Sequence, residues 1–131
     1  MKKPLPQGLQ AELKKIVTAE MTAKAVGSGA LEVYATSAMI ALMEEAAADS
    51  VTPYLEAGET TVGTMISVKH LAATPVGVEV CAKSMLTEID RRKLSFDIVV
   101  YDNQEKIGEA KHERFIVQAE PFIEKAAAKK Q

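Results

Sequence analysis

The sequence predicts an α+β fold in which an antiparallel sheet wraps around one long buried helix. Apolar residues cover nearly the whole circumference of a helix over 37–50, and a helix that is apolar all round is buried. From Thr60 onward the period of the apolar residues changes from helical to alternating, which is typical of strands. The connections between the alternating segments are short, which favours antiparallel pairing.

Size and composition bound the class of protein. The 131 residues, 47% of them hydrophobic, predict one globular domain over 1–131. The formal net charge of −2 gives no electrostatic argument for a nucleic-acid partner. No apolar segment approaches the length of a membrane span, and no apolar run follows the N-terminal lysines as in a signal peptide. We therefore expect a soluble, cytoplasmic protein without a nucleic-acid or membrane partner.

The N-terminal part is predicted to contain a loose arm, an edge strand and the long helix. Residues 1–10 include two prolines and a glycine, as in an arm. Apolar and polar residues alternate over 13–24, which is compatible with an edge strand. Thr36 or Ser37 is expected to cap the helix of 37–50.

Four strands are predicted after the helix. Their alternating residues span 62–70, about 76–88, 94–100 and 107–117. They are expected to pair in chain order as an antiparallel meander. The residues expected to share one face of the first strand are Val62, Thr64, Ile66, Val68 and His70. A short helix is predicted over 121–131.

This order of elements, one strand, one long helix and four consecutive strands, is that of the hotdog fold. A single sheet of this kind leaves an apolar flank exposed, and its edge strand carries unpaired backbone groups. We therefore expect the chain to pair edge to edge as a homodimer, or as a tetramer built from such dimers.

The two histidines are candidates for base chemistry, because histidine titrates near neutral pH. His70 closes the apolar face of its predicted strand, at the rim of the core. Packing can hold a ring there while its nitrogens reach a cleft. His112 shares a strand face with Ala110, Arg114 and Ile116. Its position is as compatible with a structural hydrogen bond as with catalysis.

Two polar residues of the long helix are further candidates. Glu44 is one of two adjacent glutamates in an apolar helix, where a carboxylate must be paired or must reach a cleft. A solvated edge of the helix is the alternative for both glutamates. Thr36 precedes Glu44 by eight positions, about 80° around the helix axis, so the two could line one edge of a cleft. A plain helix cap is the alternative for Thr36.

No metal or phosphate-loop pattern is present in the sequence. The histidines lack ligand spacing and Cys81 is the single cysteine, so no metal is expected. No glycine-rich phosphate loop occurs. The basic run of Arg91, Arg92 and Lys93 forms a solvated turn by default, and could equally contact the phosphates of coenzyme A.

Seven short segments carry a family resemblance. They are Tyr34-Ala35-Thr36, Leu42-Met43-Glu44, Pro53-Tyr54-Leu55-Glu56, Gly63-Thr64 through His70, Ala72-Ala73-Thr74-Pro75, Arg92-Lys93-Leu94-Ser95 and His112-Glu113-Arg114. Over about 31–117 they resemble the fluoroacetyl-CoA thioesterase family of hotdog proteins. The resemblance implies hydrolysis of an acyl-CoA thioester, with coenzyme A as part of the substrate and no further cofactor.

The resemblance also implies a set of site residues. The catalytic threonine, helix glutamate and strand histidine of the family correspond to Thr36, Glu44 and His70. The glycine that contacts the acyl thioester corresponds to Gly63, and the arginine near the substrate corresponds to Arg114. All five residue types are retained in this sequence.

One position departs from the family pattern. Ala30 stands where the fluoroacetyl-specific enzyme has a phenylalanine lid. Because alanine cannot seal a small acyl group from water, we expect a thioesterase for small or medium acyl-CoA. Two alternatives stay open. One is a non-catalytic acyl-CoA-binding protein, and the other is a hotdog hydratase or dehydratase, whose usual helix Asp and His pattern is not evident here.

Overall fold

The structure is a computed structural model that describes residues 4–130. Its strands are Gln10–Ile16 (β1), Glu59–His70 (β2), Glu79–Asp90 (β3), Lys93–Tyr101 (β4) and Lys106–Gln118 (β5). Its α-helices are Ala23–Val26 (α1), Thr36–Val51 (α2) and Ala119–Ala127 (α3). The predicted α+β class is confirmed. No helix within residues 4–130 is long and apolar enough to cross a membrane.

The strands form one antiparallel sheet in the order β1-β3-β4-β5-β2. Strands β3, β4 and β5 make the predicted meander, and β1 is an edge strand as expected. The expectation that β2 pairs with β3 is wrong, because β2 pairs with β5 at the opposite edge. The two-residue turn 91–92 allows a hairpin, whereas the longer connection 71–78 carries the chain across the end of the sheet.

Helix α2 packs on the inner face of the sheet. Its buried side chains recur at helical spacing and are Met39, Leu42, Met43, Ala46, Ala47 and Val51. They meet sheet residues that include Val80, Leu86, Leu94, Phe96, Ile98 and Val100. The prediction of burial on all sides is wrong within one chain, because the sheet covers one face of the helix. The exposed face carries Ser37, Ala41, Glu45 and Asp49.

A β-bulge changes the inner face of β2. Between the pair Gly63–Arg114 and the pair Ile66–His112, β2 advances three residues while β5 advances two. The prediction that Val62 and Thr64 share the face of the residues near the strand end is therefore wrong. The inner face of β2 consists of Thr61, Gly63, Ile66, Val68 and His70.

The N-terminal elements differ from the prediction in position. The edge strand ends at Ile16, before the expected limit of residue 24, and is followed by the short helix α1. Thr22 is the N-cap of α1, since its side chain accepts a hydrogen bond from Ala25 N at 3.2 Å. In the predicted loose arm, Leu5 is buried in the core, and residues 1–3 lie outside the described residues. Capping rather than strand alternation thus explains the polar residue at position 22.

Candidate active site

Thr36 and His70 meet where α2 begins and β2 ends. Thr36 Oγ1 and His70 Nδ1 lie 2.8 Å apart, which is hydrogen-bond distance. The expectation that Thr36 or Ser37 caps the helix is wrong, because the N-cap is Ala35, whose backbone is extended. Thr36 is thus the first helical residue, and its hydroxyl is available to the histidine.

The surroundings of His70 favour a neutral ring near pH 7. Burial lowers its pKa below the usual 6.5, and the nearby backbone of Ala72 opposes this in part. Its Nε2 atom is buried and has no hydrogen-bond partner among residues 4–130. A neutral imidazole beside a hydroxyl is the arrangement of a base and the group that it deprotonates.

Tyr34 supports the ring of His70, a role that the sequence analysis did not assign. The two rings meet edge to face, with centroids 6.5 Å apart and planes at 86°. The Tyr34 hydroxyl donates to the Ala38 carbonyl at 3.4 Å. Burial raises the pKa of Tyr34 to about 12, so the phenol stays neutral. The sequence signal for this role was an aromatic residue two positions before Thr36.

An open groove leads to the Thr36–His70 pair. Its volume is about 780 Å³. Small and apolar side chains dominate its walls, which are formed by Ala23, Ser28, Val33, Tyr34, Thr36, Ser37, Ile40, His70, Leu71, Ala72 and Ala73. Ala30 belongs to the exposed segment between two of these wall residues. The groove is therefore wide enough for an extended apolar group and carries no aromatic side chain at position 30.

Glu44 lies against the backbone of β2, at the middle of α2. Its Oε2 atom is 3.7 Å from Nη1 of Arg114. A Cβ atom built on Gly63 would lie 2.6 Å from the same Oε2, closer than real Cβ contacts allow. Glycine at position 63 is therefore what permits the carboxylate to approach the strand. The side chain of Glu44 is 41% exposed and that of Arg114 is 9% exposed.

Arg114 is held by residues of β2 and β5. Its Nε donates to Thr61 Oγ1 at 2.9 Å, and Nη2 donates to the Thr61 carbonyl at 3.0 Å. Its Nη1 lies 3.2 Å from His112 Nε2. The sequence analysis missed Thr61, although its place two residues before Gly63 on one strand face was a usable signal.

The five predicted site residues form two groups within one chain. One group is Thr36 with His70, and the other is Glu44 with Gly63 and Arg114. Thr36 and Glu44 are about 12 Å apart along the axis of α2. Gly63 and His70 are about 20 Å apart along β2. One chain therefore brings a hydroxyl to an imidazole but keeps both away from the carboxylate.

Within residues 4–130, no three His, Cys, Asp or Glu side chains gather in a group that could hold a metal ion. The two groups contain a hydroxyl, an imidazole, a carboxylate and a guanidinium.

Solved structures identify the architecture that carries these groups. A Thermus thermophilus hypothetical protein of the thioesterase superfamily superposes with a TM-score of 0.90 at 27% identity, over 98% of this chain and 95% of that chain. A hot-dog-like protein from Thermanaerovibrio acidaminovorans has the same fold, with a TM-score of 0.84 at 20% identity over 95% of this chain and 92% of that chain. The predicted hotdog fold is confirmed.

The sequence match is to one family of such enzymes. Residues 17–120 match the fluoroacetyl-CoA-specific thioesterase family. The fluoroacetyl-CoA thioesterase of Streptantibioticus cattleyicolor is 41% identical over 98 residues, which are 75% of this chain and 70% of that protein. A solved variant of the fluoroacetyl-CoA-specific thioesterase superposes with a TM-score of 0.93 at 34% identity, over 98% of this chain and 99% of that chain. The chain belongs to this family, as the resemblance predicted, and is a thioester hydrolase.

Proposed function

We propose that the chain is a cytoplasmic acyl-CoA thioesterase that uses Thr36, Glu44 and His70 as catalytic residues. The single observation that carries this mechanism is the 2.8 Å contact between the Thr36 hydroxyl and the His70 ring. Family membership supports hydrolysis over the hydratase and non-catalytic alternatives. A related fluoroacetyl-CoA thioesterase has been solved with a threonine replaced by serine and with acetyl-CoA bound.

His70 acts as the base for the Thr36 hydroxyl. When the ring proton is on Nε2, the hydroxyl donates to Nδ1 at 2.8 Å. As Thr36 Oγ1 attacks the thioester carbonyl, Nδ1 takes the proton, and the departing coenzyme A sulfur receives it as the C–S bond breaks. Water then attacks the acyl-threonine ester, and Glu44 accepts the proton of that water. The proton returns to Thr36 Oγ1 as the ester C–O bond breaks, which frees the carboxylic acid and restores the hydroxyl.

Gly63 and Arg114 are the proposed substrate-binding residues. The register shift between Gly63 and Met65 interrupts the ladder, and glycine leaves no side chain over its own amide. The Gly63 N–H can therefore donate to the thioester carbonyl as negative charge develops on its oxygen. The guanidinium of Arg114 adds positive charge to the same place.

A homodimer would unite the two groups of site residues. Strand β2 is at an edge of the sheet formed by the described residues, and an edge strand can pair with a second copy. A two-fold axis near the middle of β2 reverses the strand direction, and so brings His70 of one copy near Gly63 of the other. The exposed Ala41 face of α2 would be covered at the same interface. Light scattering that gives a stable monomer at micromolar concentration would contradict this arrangement.

Coenzyme A is proposed to place its nucleotide phosphates near the turn of Arg91 and Arg92. The Arg91 side chain is 91% exposed and that of Arg92 is 56% exposed, so both can reach a ligand. Arg92 also contacts Glu59, with Nη1 and Oε2 3.4 Å apart. Because exposed charge contacts are screened by salt, binding of coenzyme A measured by calorimetry is expected to weaken as salt is raised.

Ala30 supports a broader acyl range than fluoroacetyl alone. In the solved relatives, the substituted phenylalanine and the substituted threonine are six positions apart, as Ala30 and Thr36 are here. An alanine at this position leaves the groove uncovered, so it admits small and medium acyl groups. The variant Ala30→Phe is expected to lower kcat/KM for medium acyl groups more than for acetyl-CoA.

Thiol release from a panel of acyl-CoA substrates tests the proposed function. We expect release of free coenzyme A from small and medium acyl thioesters, with Glu44→Gln as the matched inactive control. Binding of acyl-CoA without thiol release would favour the non-catalytic alternative. Addition of water to an enoyl-CoA without thiol release would favour the hydratase alternative.

A further inference from the structure

His112 and Thr61 hold the guanidinium of Arg114 against the catalytic carboxylate. We propose that these two residues are positioning residues, which fix Arg114 as the anchor of Glu44. This inference rests on the proposed function, because it concerns the carboxylate of the same site.

Most of the N–H groups of Arg114 have a partner in the structure. Arginine carries five N–H groups. Thr61 accepts a hydrogen bond from Nε at 2.9 Å through its hydroxyl, and one from Nη2 at 3.0 Å through its carbonyl. His112 receives one from Nη1, and the second hydrogen of Nη1 is left on the side of Glu44 Oε2, 3.7 Å away. The guanidinium is therefore fixed on two sides and presents one edge to one carboxylate.

The tautomer of His112 follows from its partners. A carbonyl oxygen can only accept, so Nδ1 must donate to the Met65 carbonyl, at 2.8 Å. In a neutral ring Nε2 then has a free electron pair, which accepts from Nη1 of Arg114. Burial lowers the pKa of His112 and keeps the ring neutral, although the bond to Met65 opposes this. The buried ring also packs against Phe96, with centroids 6.0 Å apart.

This support matters because Glu44 is otherwise weakly held. Its side chain is 41% exposed, and the contact with Arg114 is the ion pair that restrains it. Gly63 leaves the room in which the carboxylate lies, since a Cβ there would be 2.6 Å from Oε2. If the anchor shifts, the carboxylate can rotate into solvent. A displacement of about 1 Å in a catalytic group can cost about a hundredfold in rate.

A matched pair of variants at position 61 tests the anchor. Thr61→Val keeps the shape and the backbone carbonyl but removes the hydroxyl that accepts from Nε. Thr61→Ser keeps that hydroxyl. We expect Thr61→Val to lower kcat about tenfold with KM nearly unchanged, and Thr61→Ser to stay within about twofold of the wild type. Equal kcat values for the two variants would overturn the proposal.

A second pair separates positioning from structural support at His112. Asparagine can donate to Met65 as Nδ1 does but does not reach Arg114, whereas glutamine can present an acceptor where Nε2 lies. We expect similar melting temperatures for His112→Asn and His112→Gln, but a lower kcat for the asparagine variant. A kcat that follows only the melting temperature in both variants would show a structural role and overturn the proposal.

A measurement that needs no substrate tests this inference separately from the proposed function. In the nuclear magnetic resonance spectrum, the Arg114 Nε–H proton is expected to exchange slowly in the wild type and in Thr61→Ser, and to be lost in Thr61→Val. This pattern supports the anchor even if the wild type releases no thiol, a result that would reject only the proposed function. An Arg114 signal that is the same in all three proteins would overturn the anchor.

Discussion

The two histidines of this chain lie in different surroundings on neighbouring strands. His70 ends β2, with one ring nitrogen on Thr36 and the other without a partner in the part of the chain that the structure describes. His112 lies on β5 with both nitrogens bonded, to Met65 and to Arg114. Burial lowers the pKa of both rings. Their roles are therefore distinguished by their partners rather than by burial or titration.

The same contrast applies to the two groups of site residues. The Thr36–His70 pair lines a groove, and among residues 4–130 His70 Nε2 has no hydrogen-bond partner, as expected of groups that exchange protons. The Glu44 group is braced by Arg114, whose donors are used by Thr61 and by the buried His112. One group is suited to move protons, and the other is suited to keep a carboxylate in one place.

Replacing the proposed base should give the largest effect. His70→Ala is expected to lower kcat for acyl-CoA hydrolysis by at least about a hundredfold, the low end for loss of a general base. The fold should survive, because His70 ends an edge strand. Steady-state kinetics and thermal melting together measure both effects.

The control for this prediction is His112→Ala. It removes a fully buried ring, so we expect a lower melting temperature and a smaller loss of kcat than in His70→Ala. Loss of turnover in His112→Ala with full turnover in His70→Ala would reverse the two assignments.

Adding one methyl group at Gly63 should disturb the group of Glu44, Gly63 and Arg114 and leave the Thr36–His70 pair of the same chain in place. The Cβ of Gly63→Ala would lie 2.6 Å from Glu44 Oε2, so the carboxylate must move. We expect kcat to fall about tenfold to a hundredfold, since misplacement of a catalytic group by about 1 Å has effects of this size. Thiol-release kinetics measure the loss, and a kcat equal to that of the wild type would show that the position of Glu44 is unimportant.

The pH dependence of hydrolysis reports on the Thr36–His70 pair. His70 must be neutral to accept a proton, and burial lowers its pKa below 6.5. The ring therefore stays neutral to lower pH, and kcat/KM should fall only as pH drops through this lowered pKa. A profile measured from pH 4 to 9 should give an acid midpoint below 6.5. A midpoint at or above that value would contradict the surroundings described for His70.

Variants of Thr36 should have the smallest effect on stability. Because Ala35 and not Thr36 is the N-cap of α2, Thr36→Ala should cost less than the roughly 1 kcal/mol of a lost cap. Its kcat should fall, because the hydroxyl beside His70 is gone. Thr36→Ser keeps the hydroxyl and should show nearly wild-type turnover. Chemical unfolding and kinetics of both variants test this. Equal kcat values for Thr36→Ala and Thr36→Ser would exclude a role of the hydroxyl in catalysis.

Sequence periodicity predicted the elements but not all of their partners. Strands β4 and β5 alternate over most of their length, and their predicted limits of 94–100 and 107–117 differ by one residue at each end from those of the structure. In β2 one extra residue at the bulge moved Val62 to the other face, and no local pattern marked that insertion. The order of strand pairing depends on the path of 71–78, which periodicity does not encode.

The candidate site was predictable in residue type and less so in contacts. The resemblance supplied Thr36 and His70, which do meet, and Glu44, which contacts Arg114 70 positions later. Such contacts follow from the register of β2 on β5, which a single sequence does not reveal. Thr61 was missed because its hydroxyl has meaning only beside the guanidinium.

Mixing two inactive variants tests most directly whether the two groups act on one thioester across a dimer. In a heterodimer of Glu44→Gln and His70→Ala, one site combines both defects and the other combines an intact Glu44 with an intact His70. After the mixed chains are unfolded and refolded together, random pairing should restore about a quarter of wild-type thiol release, because half of the dimers then carry one intact site. Each variant treated alone should stay inactive. If the mixture is no more active than its two components, then Glu44, Thr36 and His70 do not combine across two copies, and this account of the site is wrong.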